Sequence, residues 1–79
     1  MITTQYLVRV HLKDSISWEK ADRRLELCHF ALHKVSTLSV ESMAGNWCCA
    51  PYIEVVVATR PVAKKVERMI LKIVGRWVE

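Results

Sequence analysis

His29 and His33 stand four residues apart, with Glu26 three residues ahead of the first. On an α-helix that spacing places both imidazoles on one face, where two such rings can share a metal ion. The stretch HFALH has Phe30 where the zinc-protease motif carries its glutamate. A third ligand would have to come from Glu26, Cys28 or a distant residue. The simpler reading is two histidines on a partly solvated helix face, His33 near the C-terminal end where a cation is favoured. No metal site and no cofactor are expected.

The cysteines are Cys28, Cys48 and Cys49, an odd number with two adjacent. A vicinal pair cannot staple distant segments, and secreted mini-proteins carry even sets of four or more, so reduced thiols are the default. A reactive thiolate needs a nearby cation, a helix N-terminus or a metal. Asn46 and Ala50, which flank the pair beyond Trp47, offer no charge. Small packing residues that close a hairpin are the reading adopted. No Gly-rich phosphate loop, nucleophile elbow or apolar carboxylate pair is found, and a chain of 79 residues has little volume for an enclosed pocket. Catalysis is not expected.

Charge is the third constellation. Arg60, Lys64, Lys65, Arg68, Lys72 and Arg76 face only Glu67 and Glu79 within residues 60–79, so this segment carries the whole net charge of +4. Residues 1–59 are balanced. At helical spacing, Lys65, Arg68, Lys72 and Arg76 form an outward ridge that could follow phosphates or meet an acidic protein surface. Val62, Val66, Met69, Ile70 and Ile73 fall on the opposite, inward face.

These residues must be positioned by a small set of elements. Residues 4–12 alternate with period two: Tyr6, Val8, Val10 and Leu12 on one face, Leu7, Arg9 and His11 on the other, which predicts a strand. Ser17 is a good cap, and Glu19 suits a helix N-terminus. A helix from Trp18 to about Lys34 would bury Trp18, Ala21, Leu25, Cys28, Leu32 and Val35, with Leu27 and Phe30 widening the stripe toward its end. Residues 36–43 alternate again as a polar edge strand, with Leu38 and Val40 inward and Met43 outward. Ala44-Gly45-Asn46 reads as a turn, continued as a loop through Trp47 to Pro51. Tyr52–Thr59 is the strongest strand; Ile53, Val55 and Val57 point inward, and Val56 leaves the far face apolar, as in a central strand.

Thr59 and Pro61 open a second helix, 61–74. After it, Gly75 either ends the helix before a short strand 76–79 or lets the helix run on to Val78. The order β-α-β-β-α, with an optional last β, predicts an α+β, two-layer sandwich of ferredoxin-like type, with both helices on one face of a three- to four-stranded sheet. One domain covers residues 1–79. The longest apolar runs are far too short for a membrane span, and the N-terminus lacks a basic leader, so a cytoplasmic location and no membrane partner are expected.

The resulting expectation is a non-catalytic protein-interaction module that docks on a larger protein. Trp47 in its loop, Tyr52 with the far sheet face, and the ridge Lys65, Arg68, Lys72 and Arg76 are the candidate contacts. A phage or mobile-element inhibitor acting on a host defence or nucleoprotein complex, anti-CRISPR-like, is one such module; that suggestion rests on size and the absence of catalytic motifs. Alternatives are a nucleic-acid-binding domain using the basic ridge, and a homodimer pairing by sheet edges to sense a small molecule.

Overall fold

A computed structural model describes residues 5–35, 38, 40–48 and 50–79. Strand β1 (Tyr6–His11) leads into helix α1 (Trp18–Lys34), then β2 (Val40–Asn46), β3 (Tyr52–Val57) and helix α2 (Arg60–Val74), which ends in a 3-10 turn at Gly75–Trp77. The sheet is antiparallel throughout, in the order β1-β3-β2. The richest strand in β-branched residues is therefore the central one. Thr4, Ser36, Thr37, Ser39 and Cys49, which entered the sequence reading, lie outside the described residues.

One sheet face carries the core. Val8 and Val10 of β1, Leu12 just beyond it, and Ile53, Val55 and Val57 of β3 are buried, as period-two alternation requires. Ala21, Cys28 and Leu32 from α1 and Val66, Ile70 and Val74 from α2 join the same cluster, so both helices cover this face. Ser17 caps α1 by accepting from the Lys20 amide at 3.3 Å, and Thr59 caps α2 by accepting from the Val62 amide at 3.4 Å.

The structure corrects the sequence reading of the middle segment. Ala44, Gly45 and Asn46 continue β2 rather than turn, with Gly45 opposite Ile53 and Asn46 opposite Tyr52. A bulge between Val40 and Ser42 inserts one residue, so Val40 faces Val57 and Met43 faces Val55. Both side chains thus meet the core, although unbroken alternation sends Met43 to the other face.

The chain end falls between the two expected outcomes. Gly75 adopts φ 60° and ψ −124°, a conformation that favours glycine, and stops the helix. The backbone then returns along β1: the Lys13 amide donates to the Trp77 carbonyl at 2.8 Å, the Glu79 amide to the His11 carbonyl at 3.0 Å, and Leu12 pairs with Val78. One bridge forms there, not a full strand. No helix among the described residues is long and apolar enough to cross a membrane.

Candidate interaction surfaces

The face of the sheet away from the helices is open. Strand pairing aligns Leu7 with Val56 and Ser42, Arg9 with Glu54 and Ala44, and His11 with Tyr52 and Asn46, giving three cross-strand rows. Tyr52 is the hub of the last row. The Arg9 guanidinium lies 4.3 Å from its ring centroid and also reaches Glu54 at 3.5 Å. His11 meets the ring edge-on at 5.8 Å, and the Asn46 side-chain amide donates to the Tyr52 hydroxyl at 3.3 Å. Beside this polar cluster, Leu7 is 54% exposed.

Trp47 lies at the end of β2, half-buried and packed on the core. A β-carbon placed on Gly45 would come within 2.4 Å of the indole and 3.1 Å of Leu25, so Gly45 makes the room in which the ring lies back over the strand. Asn46 steadies the following backbone by accepting from the Cys48 amide at 3.0 Å. Trp47 and Trp18 line one small recess with Asp14, Ile16 and Pro51.

The basic ridge forms on α2. Lys65, Arg68 and Lys72 are all exposed and share one stripe at spacings of three and four. Among the described residues they enter no ion pair. Arg76 does not extend this stripe; it sits past the helix in the 3-10 turn, its guanidinium 5.3 Å from the Trp77 ring. Because the helices cover the opposite side of the sheet, the ridge and the Tyr52 cluster point away from each other.

His29 and His33 are exposed and border a cavity of about 490 Å³ that also touches Glu41. Among the described residues no three His, Cys, Asp or Glu side chains are grouped to hold a metal. Cys28 is sealed in the core; burial pushes its thiol up to about 11, against a smaller opposing pull from Arg24.

The outer face of α1 departs most from expectation. Trp18, Leu27 and Phe30, expected in the core stripe, are 65%, 41% and 64% exposed. For Leu27 and Phe30 the physical reason is helical geometry: Leu27 lies two residues from the partly buried Leu25 and Phe30 two from the buried Cys28, about 200° around the helix. Trp18, the first residue of α1, instead lines the recess beside Trp47. Counting that offset would have identified an apolar pair facing solvent. No protein family, curated protein or solved structure matches the chain.

Proposed function

We propose that the chain is a small non-catalytic interaction module that docks on a larger protein through its open sheet face. The observation that carries this reading is the exposed Leu7 with Val56 beside a Tyr52 cluster of Arg9, His11 and Asn46. Interface centres combine apolar side chains with Tyr and Arg in this manner. Charge favours protein over nucleic acid at this face, because Glu54 offsets Arg9 and leaves little net attraction for phosphate. The Arg9 guanidinium also occupies the ring face on which a base would stack.

The strand order β1-β3-β2, with Val78 beside Leu12 where a fourth strand would lie, supports a ferredoxin-like reading in which residues 76–79 are an abbreviated last strand. That architecture serves many functions, so the site carries the functional argument. Inhibition of a host nucleoprotein complex, anti-CRISPR-like, belongs to the same proposal and rests on size and the absence of catalytic motifs. A cytoplasmic setting is proposed with it, from apolar runs too short for a membrane span.

The test is affinity capture from the native host with Leu7→Asp, Tyr52→Ala and Trp47→Ala variants. A specific partner should be lost with Leu7→Asp and Tyr52→Ala. Retention by both, with loss in Trp47→Ala, would move the contact to the end of β2.

A second reading rests on the exposed ridge Lys65, Arg68 and Lys72, which enters no ion pair among the described residues and fits a nucleic-acid backbone. Titration of labelled DNA and RNA at two salt concentrations decides it. Binding with a steep salt dependence that Arg68→Glu and Lys72→Glu remove would establish it, and no binding at low salt would eliminate it.

A further inference from the structure

Helix α1 has two apolar faces, and only one meets the core. On the outer face, Glu19, Arg23, Glu26, Leu27, Phe30 and Lys34 are all exposed and recur at spacings of three and four, a continuous stripe. A depression of about 290 Å³ lies among Arg23, Glu26, Leu27 and Phe30. Those four are residues i, i+3, i+4 and i+7, the set that forms the hole for a knob from a facing helix. The knob and the hole are on one surface, which is the requirement for a two-fold, self-complementary contact.

We propose that this stripe pairs with the same stripe of a second copy, the two α1 helices running antiparallel about an axis near residues 26 and 27. Charge selects the partner and the direction. In the antiparallel register Glu19 lies opposite Lys34 of the second copy, twice by symmetry, and Arg23 lies opposite its Phe30. A parallel register would set Glu19 against Glu19 and Lys34 against Lys34. Leu27 of each copy enters the hole of the other. Within one copy the Lys34 ammonium lies 4.5 Å from the Phe30 centroid; pairing with Glu19 of the second copy draws it off the ring and leaves Phe30 to the incoming guanidinium. The pairing leaves the open sheet face free and is independent of what binds there.

A contact confined to one helix face is at the small end of stable interfaces, so association at ~10–1000 μM is expected. Sedimentation velocity up to ~1 mM at low salt tests it. The wild type should dimerise, and Leu27→Glu and Phe30→Glu should be monomeric with unchanged circular dichroism, since both side chains are exposed. Glu19→Lys and Lys34→Glu should each weaken association ~3–30-fold, and the double variant should restore it. On one helix those residues are ~22 Å apart, too far for an internal pair. The double variant is also the least favourable for the helix dipole, so restored dimerisation cannot come from a steadier helix. A monomer at ~1 mM, or a dimer unaffected by Leu27→Glu and Phe30→Glu, would overturn the proposal. A double variant no better than its singles would overturn the antiparallel register.

Discussion

Replacing Gly45 with alanine tests whether Trp47 is part of the fold. The new β-carbon would meet the indole at 2.4 and 2.5 Å and the Leu25 side chain at 3.1 Å. Separations near 2.5 Å cannot be sustained between carbons, so the ring must leave its place over the strand. Overpacking of this kind costs ~1–3 kcal/mol, about 4–8 °C of melting temperature per kcal/mol for a domain this small. The backbone is not the obstacle, because Gly45 does not have a positive φ. With Trp47→Ala already in place, the two shortest contacts are gone and the flexible Leu25 side chain at 3.1 Å can give way, so Gly45→Ala should become neutral or stabilise by up to ~1 kcal/mol through lower unfolded-chain entropy. Urea unfolding followed by circular dichroism on the wild type, both singles and the double completes the cycle. We expect a coupling of at least ~1.5 kcal/mol. Additivity within ~0.5 kcal/mol would refute the packing of Trp47 over Gly45.

Gly75→Ala should lower stability by ~1–3 kcal/mol, because a β-carbon at φ 60° is strained although nothing else lies within 4 Å of it. Hydrogen exchange should show the Lys13 and Glu79 amides losing protection first; an unchanged urea midpoint would count against the strain. Cys28 gives a pH signature. Its thiol is raised from 9.0 to about 11 by burial, so the folded state holds the proton more tightly than the unfolded one. The stability it contributes is complete below pH 9, falls as pH rises through the window to about 11, and should show a flatter profile in Cys28→Ala. Alkylation of Cys28, followed by peptide mapping because Cys48 is exposed, should be slow at pH 8 in native protein and fast in urea.

Much of the architecture was legible because it follows from local patterns. Alternation in residues 6–12 and 52–57 set the inward faces, and Ser17 and Thr59 set the helix starts, since a cap acts within three residues. The ridge Lys65, Arg68 and Lys72 was legible for the same reason, with Arg76 lost from it once Gly75 ended the helix. The extent of β2 was not legible. Ala44-Gly45-Asn46 has turn-forming residues, yet pairing with Ile53 and Tyr52 holds them extended, and this pairing is a non-local gain that outweighs a weak local preference.

Periodicity alone determined the order of elements, the core strands and the inner face of α2. It also placed the chain's net positive charge on one helix. Tertiary structure decided the make-up of the candidate surfaces. A bulge turned Met43 inward, cross-strand register gathered Arg9, His11 and Asn46 around Tyr52, and the absence of a glycine side chain seated Trp47 on the core. Packing of α1 through Ala21, Cys28 and Leu32 left Leu27 and Phe30 outside. The offset of Leu27 and Phe30 from the core stripe can be counted in the sequence, but the bulge, the cross-strand register and the seat of Trp47 depend on which distant segment lies opposite, which no local repeat encodes.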